Sequence, residues 1–409
     1  MLSERSKKMF PYFEAIDLKK KRNSAIMNDI LSELFNNMNE SDNFVKIVKK
    51  QSDVEESYTI NVDNVSDIPK PDNFENTIFL PNTISSEILK NTEYVFCYKY
   101  NVLGRKIKIH FGVEKKNDIK MIDAYKTKIL MWLYIVNLYS SKKCSKNLNI
   151  YIYLNHQEKK LPNEKMETLS SNHVNSAFTS CCSENSEIVI FRKEEWFKVF
   201  IHETMHNFGL DFCNMESKKM KELMSSVFNL ESNMLMYESY CEFWGIIMNC
   251  CFVSYLSNKK ITKKEFIKNT KKNIDNEVVF SLFQMNKILD HMGLDYEDLY
   301  KKEEENRLKR NYLYREDTNV FAYYIVKTVL LYHYDIFLEW CSDKNYNLID
   351  FKKTTKNVEL FCEFIKKHYK KRDFLENYKK VGIVFDNLKE KKGNKLLNDT
   401  TKMSLLEMK

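Results

Sequence analysis

The residues with the clearest chemistry are His202, Glu203 and His206, in the run Phe200-Ile-His-Glu-Thr-Met-His206. The pattern is His-Glu-x-x-His. On a helix, residues four apart share one face, with Cβ atoms about 5–6 Å apart. Two imidazoles at that spacing can reach one metal ion at about 2.0–2.1 Å. Glu203 directly follows one of these histidines, so its carboxylate can reach a water beside the same metal. Two neutral nitrogen ligands, an open position and a carboxylate base are the parts of a zinc hydrolase site. The competing reading is a surface helix with two incidental histidines.

The flanking sequence fits a helix. Ser186-Glu-Ile-Val-Ile-Phe-Arg192 reads as a short strand, bounded upstream by Ser183-Glu-Asn185. From Lys193 to Ile201 the spacing turns helical, with acids in the first turn. Gly209, three residues after His206, can end that helix in the left-handed region. A catalytic zinc takes three protein ligands. Asp211 and several downstream glutamates are candidates for the third. Glu238 and Glu242 stand four apart in the apolar stretch Met234 to Phe252. Buried carboxylates are costly unless paired or bound to metal. Two on one stripe of an apolar helix therefore call for a cation, unless that stripe, continued from Glu231, faces solvent.

In these residues the chain resembles the gluzincin metallopeptidases, the group that includes thermolysin and many aminopeptidases. There a His-Glu-x-x-His helix is followed by a second helix carrying a ligand Glu, and Glu238-Ser-Tyr-Cys-Glu242-Phe is similar to that second motif. The resemblance covers about residues 173–245. It implies one zinc ion held by His202, His206 and Glu238, with Glu203 as base and Glu242 steadying a ligand histidine. It implies a peptide or protein substrate. His173-Val-Asn-Ser-Ala-Phe-Thr179 is extended in character and occupies the place of a substrate-binding edge strand. Asn175, Ser176 and Ala177 are its candidate substrate-binding residues, and an ordinary connecting strand is the equal alternative. There are departures. Phe212 stands where a metzincin has its third ligand, and Tyr237 replaces the usual Asn before the ligand Glu. The transition-state donor has no motif. Tyr323 and Tyr324 are the candidates, against an ordinary role as core aromatics.

Other chemistries find no support. There is no Gly-x-Ser-x-Gly elbow and no Gly-rich phosphate loop. The chain has 409 residues, 43% hydrophobic and 13% aromatic, which indicates a globular protein. The net charge of +8 comes from interleaved signs, 65 basic against 57 acidic residues. The runs Lys19–Arg22 and Lys366–Arg372 read as solvated faces rather than a nucleic-acid site. Ten cysteines show no Cys-x-x-Cys spacing. Reduced, buried thiols in a cytoplasmic setting are the expectation. The longest apolar run, Phe243 to Leu256, is too short to span a bilayer. The Lys/Asn/Ile-rich bias is that of an AT-rich genome, such as a large DNA virus or a parasite. A viral protein would then reside in host cytoplasm or virion.

The elements that must position the motif can be read in outline. The fold class is α+β: a small mixed sheet beside the His-Glu-x-x-His helix, then a helix-rich C-terminal region. Residues 1–60 read as helical and 61–90 as an extended connection. A hairpin spans Tyr94 to Gly112, with its turn near Asn101 to Gly104. Lys126 to Tyr139 is an apolar helix and Leu148 to Leu154 a strand. All five prolines lie at or before Pro162, so nothing later breaks a helix through a proline ring. Several helices follow over residues 214–385, and the tail from Lys389 is expected to be polar and loose. The regions are 1–90, a zincin-like core over 91–260, a helical region over 261–388, and the tail 389–409. The resulting expectation is a zinc-dependent metallopeptidase. The rivals are a non-catalytic, structural or binding protein with a metal kept for folding, and a zinc hydrolase of a non-peptide amide.

Overall fold

The computed structural model describes residues 2–18, 24–51, 54–75, 77–115, 119–215, 218–391 and 394–409. The basic run Lys19–Arg22 lies outside the described residues. The molecule is α+β, as its patterning predicts. Among the described residues there are six strands, β1 (Glu55–Asn61), β2 (Tyr94–Val102), β3 (Arg105–Val113), β4 (Asn147–Tyr153), β5 (Ala177–Thr179) and β6 (Asn185–Ile190). They form one mixed sheet in the order β1-β2-β3-β4-β6-β5. The β3/β4 and β4/β6 pairs are parallel, and the other pairs are antiparallel. The β2–β3 hairpin turns on Leu103 and Gly104, with φ of 57° and 70°. Two positive φ values in a two-residue loop match the right-handed twist of the strands.

The parallel crossover β3 to β4 is made by the helix Ile119–Tyr139, whose face toward the sheet is apolar and buried. From β6 the chain passes almost directly into the helix Trp196–Asn207, which carries the motif and is buried along its whole length. Its main helical neighbour is Met236–Tyr255, which carries Glu238 and Glu242. The close approach of the two is made at Gly245. A Cβ built there would lie 3.5 Å from the Lys198 carbonyl and 3.6 Å from the His202 Cβ. The thirty-residue helix Lys263–Met292 packs behind them. One hydrophobic cluster runs through all of this, from Met9 to Met408.

Four expectations need correction. Residues 55–61 are not helical but form the edge strand β1, paired with β2 in full register. Residues 61–90 are not wholly extended, because Pro81 leads a helix over Asn82–Asn91. The cysteines are not all reduced: Cys144 pairs with Cys182, Cys181 lies beside Cys213, and six others are free and buried. A vicinal cysteine can bridge outward, a pairing that sequence spacing does not encode.

The largest correction concerns the tail. Residues 400–406 are at most 4% exposed. Their backbone groups are satisfied by side chains of the body. Glu195 accepts from the Met403 and Ser404 N–H groups. Glu277 accepts from those of Leu405 and Leu406. Gln284 donates to the Thr400 and Lys402 carbonyls, and Asn249 to that of Leu406. A polar tail is buried here because its partners lie elsewhere in the chain, where composition cannot reveal them. The second basic run, Lys366–Arg372, ends one helix and opens the next, and its Lys and Arg side chains are exposed. Among the described residues no helix is long and apolar enough to cross a membrane.

Candidate metal centre

His202 and His206 project from one face of the motif helix toward Glu238 on the helix beside it. His202 Nε2 lies 3.2 Å from His206 Nε2 and 3.2 Å from Glu238 Oε2. His206 Nε2 lies 3.4 Å from the same carboxylate oxygen. Three donor atoms, each about 2.0–2.1 Å from a tetrahedral ion, lie about 3.3–3.4 Å from one another. The triangle formed by these three side chains therefore fits a zinc ion, in donor type as well as in size.

The far side of each imidazole is held. His202 Nδ1 meets Glu242 Oε2 at 3.0 Å, and Glu242 Oε1 accepts from Lys198 Nζ at 2.7 Å. His206 Nδ1 bonds to Asp211 Oδ2, whose other oxygen accepts the Cys213 N–H at 3.1 Å. Cys241 Sγ lies 3.4 Å from Asp211 Oδ2. Asp211 thus sits across the imidazole from the donor triangle. Carboxylates behind ligand histidines fix the ring orientation and raise its basicity. Glu238 also accepts from Tyr323 OH at 3.0 Å and from Asn319 Nδ2 at 3.2 Å.

Charge in this buried cluster is balanced locally. Burial opposes ionisation of Glu238, but the His206 charge and hydrogen bonds from both histidines hold its carboxyl far below the usual range. Burial also opposes the Lys198 ammonium, which Glu242 and Glu195 outweigh, so it stays above its ordinary value. Burial raises the Glu203 carboxyl, and the two histidines offset part of that. Burial and then the nearby carboxylates keep the Tyr323 phenol protonated, hence a donor.

Glu203 lines a narrow cleft with His202, Tyr323 and the segment Val174–Ala177. In that segment one helical turn, Ser171–Val174, leads into β5, the outermost strand, which pairs with β6 along one side. Asn175 is fixed from two sides. Arg192 Nε donates to its carbonyl at 2.9 Å, and Thr318 Oγ1 to its side-chain oxygen at 2.8 Å. Tyr324 is not brought to the cleft. It points to another face of its helix and donates to the Thr401 carbonyl. The sequence reading did not single out Lys198, Asn319 or Cys241. Lys198 had a signal, being the lone charge in Trp196-Phe-Lys-Val-Phe-Ile201, four residues before His202. Asn319 had none, because it arrives from a distant segment.

Comparison with protein-family models, with curated proteins and with solved structures returned no match.

Proposed function

We propose that this chain is a zinc-dependent metallopeptidase of gluzincin type. The observation that carries the reading is the triangle of His202 Nε2, His206 Nε2 and Glu238 Oε2, with sides of 3.2, 3.2 and 3.4 Å, beside the carboxylate of Glu203. His202, His206 and Glu238 would hold the ion. When bound, zinc supplies a Lewis acid for the scissile carbonyl and lowers the pKa of water. Glu203 accepts the proton of the attacking water and delivers it to the leaving amine. Tyr323, held protonated at the cleft, would donate to developing negative charge by turning its one O–H away from Glu238. The outer edge of β5, which begins at Ala177, offers backbone groups to an extended peptide, while those of Asn175 are taken up by Ser171 and Arg192. Glu242, Lys198 and Asp211 keep the two imidazoles in orientation.

A metal site kept only for folding is the second reading. It draws on the burial of the site and on the small room beside Glu203, about 30 Å³. Glu203→Gln separates the two. The substitution keeps size and hydrogen bonding but removes the base. Zinc content is expected to stay near wild type, while cleavage in a peptide-library digest falls by at least about a hundredfold. Chelator should abolish wild-type cleavage. Zinc-loaded wild-type protein that cleaves no peptide leaves the structural-metal reading standing.

A further inference from the structure

Besides the motif helix and the segment Val174–Ala177, the cleft is lined by Met403, delivered by the C-terminal segment. Met403 lines the cleft with Val174, Ser176, Lys198, Val199 and Glu203. Its Sδ lies 4.0 Å from Lys198 Nζ. The segment that carries it is held as a bound peptide would be, by side chains of the body. The Met403 N–H donates to Glu195 at 3.0 Å, and Glu195 is itself paired with Lys159 Nζ at 2.6 Å, both buried. One residue earlier, Lys402 Nζ pairs with Glu407 at 2.7 Å. Two residues earlier, Thr401 gives its carbonyl to Tyr324 and its hydroxyl to the His173 carbonyl. Moving this segment means breaking several buried polar contacts at once, each costly to leave unmade.

The space left is about 30 Å³, enough for a water molecule or two. In the same lining Ser176 Oγ is buried and finds no partner among the described residues. An unpartnered hydroxyl in a tight cleft awaits a polar group, such as a peptide N–H or carbonyl. We infer that Met403 is a specificity-determining residue, which limits the substrate residue beside the scissile bond to a small side chain such as Gly, Ala or Ser. This rests on the peptidase reading of the same site.

The test uses the full-length, zinc-loaded protein with two probes. One is a peptide series varying Gly, Ala, Leu and Phe at the position beside the cleaved bond. The other is binding of glycine, alanine, leucine and phenylalanine hydroxamates, measured by calorimetry, which needs no turnover. Wild type should favour the small members of each series by about tenfold or more, the low end for a steric mismatch in a pocket. Met403→Ala should raise the large-to-small ratio by about tenfold with zinc content retained. Met403→Leu, close in volume, should keep the wild-type preference, so a general loss of stability cannot mimic the effect. Wild type that treats glycine and phenylalanine alike, or an unchanged ratio in Met403→Ala, overturns the role of Met403 and leaves the peptidase reading intact. A zinc-loaded protein that neither cleaves the peptides nor binds any hydroxamate overturns both.

Discussion

At the residue scale, the third donor distinguishes two kinds of site. Asp211 touches His206 through Nδ1, whereas Glu238 faces Nε2 of both histidines. Glu238→Ala is therefore expected to lose most bound zinc. Asp211→Ala keeps three donor atoms and should weaken zinc by roughly ten- to a hundredfold, as for losses behind a ligand. Zinc titration of the two purified variants checks this, and full occupancy in Glu238→Ala would remove it from the ligand set. A second residue-scale expectation concerns His110. Burial, with Lys108 adding to it, pushes this imidazole down to about 4. The folded state thus holds His110 neutral, while the unfolded chain protonates it near 6.5. Its contribution is fully present above about 6.5 and is lost as pH falls toward about 4. His110→Phe should flatten the fall in unfolding free energy over that window. Urea melts at several pH values give the slope, and an unchanged slope rules His110 out as its source.

At the scale of elements, the site depends on how closely two helices approach. The spacing of His202 and His206, and of Glu238 and Glu242, was legible because a helix places residues four apart on one face. That the two faces meet was not legible. Gly245 is the residue that lets them. A Cβ there would make contacts of 3.4 to 3.6 Å with Lys198 and His202, ordinary van der Waals distances, so Gly245→Ala should be tolerated. Gly245→Leu should push the helices apart and lower zinc affinity by at least about tenfold, since overpacking shifts backbone as well as side chains. Equal zinc affinity in the two variants would place the controlling contact elsewhere. The hairpin was also readable, down to its turn, because alternation and a Gly at the turn are local signals. Strand β1 was not. Glu55–Asn61 is polar and mostly exposed, and only its pairing with β2 makes it a strand.

At the scale of the whole molecule, the C-terminal segment ties the sheet region to the helical region. Glu277 is its main clamp. It accepts from Ser404 Oγ at 2.6 Å and from the Leu405 and Leu406 N–H groups at 2.9 and 2.8 Å. Glu277→Ala leaves these donors buried and unpaired, at about 1–3 kcal/mol each. A total loss of about 3 kcal/mol or more is expected. It should appear as a lower Tm and as faster hydrogen exchange confined first to residues 400–408. Exchange that rises evenly over the chain would mean that the segment is not a separable unit.

By itself the sequence determined the α+β class, the hairpin, the helical C-terminal region and the residue types of the candidate site. Each rests on a short-range period or spacing, which the backbone geometry of a helix or strand converts directly into shared faces. The tertiary structure decided that Glu238 Oε2 lies within 3.4 Å of both imidazole nitrogens, that Asp211 stands behind His206, and that Tyr323 rather than Tyr324 reaches the cleft. It also decided that a polar tail is core. Five of the side chains that hold residues 400–406 lie more than a hundred residues away in the chain, on Glu195, Asn249, Glu277, Gln284 and Lys287. A polar backbone is buried only where such partners exist, and their arrival at one place is a property of the packed chain, not of any local pattern.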